Sequence, residues 1–215
     1  MKKILSGLAF LGAAMALSCT SAFADSNNLK KNKGGSKILV AYYSDTGTTE
    51  DVAEKIAAYL GADLLKIESE VPYSSADLNY GNRSSRVCRE HDEIFGGKGN
   101  GQATAEDMKK VDSKVAASSV IDLGGYDTVF VGYPIWNADM PPILYSFFDG
   151  YDLSGKRIVP FTVHGGSGLV RTVQSIAAEE PKASVEKNAF SESRNTVDKA
   201  RGRIVAWLQK IGEIK

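Results

Sequence analysis

Residues 38–49 read Ile38-Leu-Val-Ala-Tyr-Tyr-Ser44-Asp45-Thr46-Gly47-Thr48-Thr49, an apolar run that ends in a hydroxyl-rich turn. The run has the length and composition of a strand buried on both faces, and the turn leads directly into helix-forming residues. The first backbone N–H groups of a helix have no partner inside it, and the aligned peptide dipoles leave partial positive charge at that end, so a phosphate is held there without a cationic side chain. Ser44, Thr46, Thr48 and Thr49 add hydroxyl donors, and Gly47 lets the backbone approach closely. The turn carries no lysine and no Gly-x-Gly-x-x-Gly, so its chemistry fits one terminal phosphomonoester rather than a nucleoside triphosphate or a dinucleotide pyrophosphate. The competing reading is an ordinary strand-to-helix turn in which Thr46 or Thr48 caps the helix.

Working outward, apolar runs alternate with helical periodicity, which is the pattern of a parallel sheet covered on both faces. Strands are predicted at Lys37–Tyr43, Ala62–Ile67, Thr128–Tyr133 and Arg157–Val163, with a weaker fifth at Val185–Phe190. Helices are predicted at Thr48–Leu60, Pro142–Phe148, Gly168–Ala178 and Thr196–Ile211, with further helices near Ser84–Ile94 and Thr104–Ala116. The glycine-rich patch Gly96–Gly101 follows no strand and reads as a solvent loop.

The N-terminus has its own pattern. Lys2 and Lys3 precede an apolar run from Ile4 to Leu17, and Ala22-Phe23-Ala24 presents small residues at the positions a signal peptidase requires, so residues 1–24 read as a signal peptide and export, to the periplasm, is expected. Met15-Ala-Leu-Ser-Cys19 also loosely fits a lipoprotein cleavage site, which leaves a lipid anchor at Cys19 as the alternative. Residues 25–36 lack core-forming side chains and read as a flexible leader to a domain at 37–215. Beyond the leader the chain has no apolar run long enough to span a membrane. Cys88 is then the one thiol of the domain, which precludes an intrachain disulfide.

The full chain of 215 residues has 26 basic and 26 acidic residues, and removal of Lys2 and Lys3 leaves a slight acidic excess. No basic stripe stands out, so nothing favours nucleic acid as a partner.

Open α/β sheets bind ligands beyond the carboxyl ends of their strands. After the third strand comes Pro134-Ile135-Trp136-Asn137-Ala138-Asp139-Met140-Pro141, where Trp136 either forms a rigid aromatic wall or packs beneath the loop, and Asn137 tolerates left-handed backbone angles. After the fourth comes His164-Gly165-Gly166-Ser167-Gly168, small residues that expose backbone donors. An esterase reading of His-Gly-Gly fails because the chain has no Gly-x-Ser-x-Gly, with Leu169 in place of the second glycine after Ser167. With only His91 and His164 as histidines, no metal-ligand spacing is present and no catalytic residue is assigned.

Taken together, Ala41-Tyr-Tyr-Ser44-x-Thr46-Gly47-x-Thr49, Gly132-Tyr-Pro134-Ile-Trp136, Tyr151-Asp-Leu-Ser-Gly155-Lys and Pro160-Phe-Thr-Val-His164-Gly-Gly-Ser-Gly168 resemble the flavodoxin-like family, in order and spacing, from about Lys37 to Ile211. The resemblance implies a three-layer α/β sandwich around a five-stranded parallel sheet of order 2-1-3-4-5. It further implies non-covalent FMN, with Ser44, Thr46, Gly47 and Thr49 at the phosphate, Pro134 through Ala138 along one face of the isoalloxazine and His164 through Gly168 beside its edge. Asn137 and Ala138 stand where relatives often carry a second aromatic residue or a glycine, and the near-neutral chain departs from strongly acidic flavodoxin carriers. The partner implied is a redox protein or a small quinone-like acceptor, and the alternative from another class is a non-catalytic extracytoplasmic flavin binder.

Overall fold

A computed structural model of the chain describes residues 29–31, 37–95 and 114–215. The signal-peptide reading of 1–24, most of the leader at 25–36 and the loop at Gly96–Gly101 lie outside the described residues.

The strands are β1 (Leu29–Lys30), β2 (Ile38–Tyr42), β3 (Asp63–Lys66), β4 (Thr128–Pro134), β5 (Arg157–His164), β6 (Ser184–Val185) and β7 (Phe190–Ser193). The helices are α1 (Thr48–Leu60), α2 (Arg86–Phe95), α3 (Pro142–Gly150), α4 (Thr172–Glu179) and α5 (Arg201–Lys210). One sheet runs β1-β3-β2-β4-β5-β6, with β7 also paired to β5. All pairings are parallel except β1 against β3, so the parallel part has the expected order 2-1-3-4-5.

The strands read as continuous apolar runs because successive side chains enter two different cores. Leu39, Ala41, Val129, Val131 and Ile158 pack with Ile143, Leu144 and Phe147 of α3, Val87 of α2 and Ile176 of α4. Val40, Tyr42, Phe130, Val159 and Phe161 pack on the other face with Val52 and Ile56 of α1 and Ile204, Trp207 and Leu208 of α5. Fully burying a side chain of this size contributes about 1.5–3 kcal/mol, which makes these two layers the main source of stability.

Several expected boundaries shift for local reasons. The fifth strand does not run through Val185–Phe190: it splits into β6 and β7, with Glu186 between them drawn to Arg157 at 2.8 Å. Helix α4 begins at Thr172 rather than Gly168 because Gly168 (φ 70°) and Val170 (φ 45°) lie in the left-handed region. The last predicted helix opens with a separate 3₁₀ turn at Val197–Lys199 before α5. Of the helix expected at Thr104–Ala116, residues 104–113 lie outside the described residues, and Val115 instead forms an antiparallel bridge with Ser69. Of the leader, Leu29 and Lys30 add an antiparallel edge to β3, where Lys31 reaches the buried Asp63 at 3.3 Å. No helix among the described residues is long and apolar enough to cross a membrane.

Candidate functional site

Strand β2 delivers the 44–47 turn to the carboxyl edge of the sheet, and the Tyr43 N–H donates to Gly132 O at 2.9 Å, which fixes that turn beside β4. Gly47 is the N-cap of α1 with φ 83°, a value that favours glycine, and an added methyl there would meet no protein atom within 4 Å. The position is therefore set by backbone torsion, and the space beside it is open to a ligand. No side chain caps α1. The capping role for Thr46 or Thr48 is thus not realised; their hydroxyls lie 3.4 Å from each other. The Ser44 Oγ and Thr49 Oγ1 atoms are buried and have no hydrogen-bond partner. A buried hydroxyl left unsatisfied costs about 1–3 kcal/mol, so two of them at the start of one helix form a cradle with its own donors unspent.

Thr46 and Thr48 line an open cleft of about 590 Å³ together with Pro134, Ile135, Trp136, Asn137, Ala138, His164, Gly165 and Ser167. The structure thus brings the three predicted loops to one cavity. Gly47, Thr49, Gly166 and Gly168 support those loops without lining the cleft, and Ser44 borders a smaller neighbouring cavity of about 250 Å³ with Lys66 and Glu68.

The loop after β4 is a tight turn closed by reciprocal backbone bonds between Trp136 and Asp139, at 2.8 and 2.9 Å. Asn137 (φ 47°) takes the left-handed geometry its residue type tolerates, and Ala138 (φ 61°) takes it as well, which nothing in its own side chain favours. What holds the turn is Asp139. Fully buried, its carboxylate accepts from Met140 N–H (2.8 Å), Arg171 Nε (2.9 Å), the Tyr145 hydroxyl (3.2 Å) and the Ser175 hydroxyl (3.3 Å). The Arg171 contact ties this loop to the one after β5. Burial, then the Asp139 charge, pushes the Tyr145 hydroxyl upward in pKa, so that phenol remains a donor.

Trp136 is 8 % exposed, with edge-on contacts to Tyr43 (5.5 Å) and Tyr73 (5.2 Å). It therefore packs beneath the loop and contributes only a small part of its ring to the cleft. Tyr73 in turn donates to the buried Glu90 at 2.5 Å and lies under the Arg86 guanidinium at 4.1 Å. Tyr133, the residue before Pro134, is fully buried and does not line the cleft.

After β5 the His164 Nδ1 accepts the Gly166 N–H at 2.9 Å, which places the proton of the neutral imidazole on Nε2 and braces the glycine turn. Gly166 (φ 132°) and Gly168 (φ 70°) both need glycine's torsional range.

Sequence reasoning missed Leu78, Tyr80, Arg194 and, at the end of β5, Val163, which complete the lining. Leu78 and Tyr80 come from the irregular Tyr- and Asn-rich stretch after β3, and Arg194 from the residue directly after β7. A signal existed for Arg194, since a charged residue just beyond a strand's carboxyl end falls where such sheets bind ligands. No group of residues able to hold a metal ion occurs among the described residues.

With this geometry in hand, comparison with known proteins is informative. The family described as Flavodoxin matches residues 37–211. A protein from Bacteroides eggerthii provisionally named a flavoprotein is 35% identical, with 83% of this chain and 98% of that chain covered and a TM-score of 0.61. A similarly named protein from Bacteroides uniformis is 26% identical over 77% of this chain and 97% of that one, with a TM-score of 0.57. A flavoprotein from Lactobacillus acidophilus, solved in complex with FMN, shares the fold at 19% identity, with 75% and 96% covered and a TM-score of 0.51. No curated protein matches the chain.

Proposed function

Because this chain belongs to the flavodoxin family, we propose that it binds FMN in the cleft and works as a redox protein, passing electrons between a partner protein or small quinone-like acceptor and its bound flavin. The observation that carries the reading is the pair of buried, unpartnered hydroxyls, Ser44 Oγ and Thr49 Oγ1, at the start of α1. Folding tolerates such groups where a ligand satisfies them, and the open space beside Gly47 and the free helix start suit a phosphate. The FMN complex of the Lactobacillus acidophilus protein supports the choice of ligand.

When bound, FMN supplies both one-electron and two-electron chemistry. The protein supplies position and electrostatics. Thr46 and Thr48 at the cleft wall, with Ser44 and Thr49 buried behind them, would donate to the phosphate; the 134–138 turn, locked by Asp139, would present backbone groups along the ring; Leu78 and Tyr80 would shield it from water. The His164–Gly168 turn offers donors at the ring's edge. We place this work outside the cytoplasm on the pattern of residues 2–24 alone.

The test is the absorption spectrum of protein purified from its native compartment, followed by addition of FMN and then of a quinone with a reductant. Flavin bands that shift on binding, and reoxidation of the bound flavin by the quinone, are the expected results. A protein that carries no flavin and takes none up would overturn the proposal.

A further inference from the structure

Eight arginines lie among the described residues, and six of them have side-chain partners. Arg83 pairs with Asp92, Arg86 with Glu90, Arg157 with Glu186, Arg171 with Asp139 and Arg203 with Glu192. Arg89 donates to Ser84 O and Arg201 to the Tyr59 hydroxyl. Among the described residues Arg194 alone has neither a side-chain nor a backbone acceptor for its guanidinium, and it lines the cleft. Exposed at the cleft, its guanidinium is hydrated in the free protein and available to an anionic part of a ligand.

Its position selects which part of the ligand that is. Arg194 N–H donates to His164 O at 2.9 Å, and the guanidinium carbon lies 3.5 Å from where a Cβ on Gly165 would stand. The charge therefore sits over the loop that follows β5. In the sheet, β5 is two strands from β2, whose turn carries Ser44, and strands are spaced about 4.8 Å apart, so the backbone beneath the guanidinium is about 10 Å across the sheet from β2. A phosphate held by Ser44 and Thr49 lies on the β2 side of the cleft, and the guanidinium stands on the β5 side. The far end of the ligand is the isoalloxazine ring. One of its edges is an apolar dimethylbenzene; the other is a pyrimidine rich in oxygen and nitrogen acceptors.

Resting on the FMN reading above, we propose that Arg194 faces the pyrimidine edge of the bound flavin and stabilises the negative charge that this edge acquires on reduction. The balance is simple: two electrons from an external donor, dithionite in the assay, and one proton taken up at N5 leave one negative charge spread over N1 and O2. No second proton is required at N1 when a guanidinium lies beside it. Oxidised flavin is neutral at that edge and gains little from the contact, so Arg194 acts on the difference between the two states and raises the reduction potential. This also separates the chain from acidic carriers, in which like charges oppose ring reduction.

The test compares wild type, Arg194→Gln and Arg194→Lys, each loaded with FMN, by anaerobic potentiometric titration at low and high salt. Removing the charge is expected to weaken binding of reduced relative to oxidised FMN at least about tenfold, which lowers a two-electron midpoint by about 30 mV. Arg194→Lys should retain most of the potential, and salt should shrink the gap between wild type and Arg194→Gln because the site is open. Affinity for oxidised FMN and the unfolding temperature should be nearly unchanged in both variants. Equal midpoints in wild type and Arg194→Gln would overturn the inference and leave FMN binding intact. So would a selective loss of affinity for oxidised FMN over riboflavin, which would assign Arg194 to the phosphate. A wild type that takes up no FMN overturns both.

Discussion

Asp139→Ala removes the carboxylate that joins the loops after β4 and β5. The wild-type group is fully buried and accepts from Met140 N–H, Arg171 Nε, and the Tyr145 and Ser175 hydroxyls. Breaking a buried ion pair by deleting one partner costs about 3–5 kcal/mol. The Arg171 side chain keeps 30% exposure and can turn toward water, so the expected loss sits near the lower end, about 3 kcal/mol. Within that figure the orphaned Met140 N–H accounts for about 1–3 kcal/mol. For a protein of this size the fall in Tm is roughly 6–12 °C. Asp139→Asn keeps an acceptor for Met140 and loses the charge, and its cost should be smaller, about 1–2 kcal/mol. Since left-handed geometry at Ala138 persists only where its surroundings impose it, Asp139→Ala should also weaken FMN binding beyond what the lost stability explains. Urea unfolding of the flavin-free protein, followed by far-UV circular dichroism, measures the first effect. A loss below about 1 kcal/mol for Asp139→Ala would refute the reasoning, because a charged, four-fold hydrogen-bonded carboxylate cannot be removed so cheaply.

Two further outcomes follow from the packing and the charges. In Gly132→Ala the new Cβ would stand 2.1 Å from Phe161 Cζ, and Phe161 is fully buried, so the ring must shift; a loss of about 1–3 kcal/mol or more in chemical denaturation is expected, with partial recovery in Gly132→Ala/Phe161→Leu. Burial, and then the neighbouring Asp152 and Glu179, raise the Glu180 carboxyl to about 7. A folded pKa above the usual 4.5 means that its contribution is fully present below about pH 4.5 and is lost as pH rises through about 7. Glu180→Gln should therefore raise Tm at pH 8 and leave it unchanged near pH 4, whereas Glu186, held at about 2 chiefly by its hydrogen bond to Arg157, titrates outside that window.

The parts of the fold legible in the sequence are those set by local pattern. Strands buried on both faces stand out because Leu39 and Val40, or Val129 and Phe130, enter different cores and leave no polar interruption. Helix α1 was bounded correctly because Gly47 and Gly61 bracket it, both with positive φ. The fifth strand was misplaced because β7 lies at an edge and reads Phe-Ser-Glu-Ser, with its buried acid Glu192 neutralised by Arg203 from eleven residues away. The start of α4 was hidden by Val170, a β-branched residue in a left-handed conformation that its own preference opposes. The turn at 44–49 is legible as one contiguous hydroxyl-rich stretch where β2 leads into α1. Asp139 and Arg171 lie 32 residues apart, and Leu78 and Tyr80 meet the cleft only through tertiary folding, so no spacing rule reveals them.

The central claim is that the hydroxyls at the start of α1 exist to hold a phosphate. Its most direct test is a fluorescence titration of flavin-free wild type and Thr49→Val with FMN and with riboflavin. Each hydrogen bond to the charged phosphate is worth about 1.5–3 kcal/mol, so wild type should bind FMN tighter than riboflavin by orders of magnitude. Thr49→Val should weaken FMN about 10- to 100-fold and leave riboflavin unchanged, while the flavin-free protein stays as stable as wild type or gains stability from losing an unpaired hydroxyl. Equal dissociation constants for the two flavins in wild type would contradict the account.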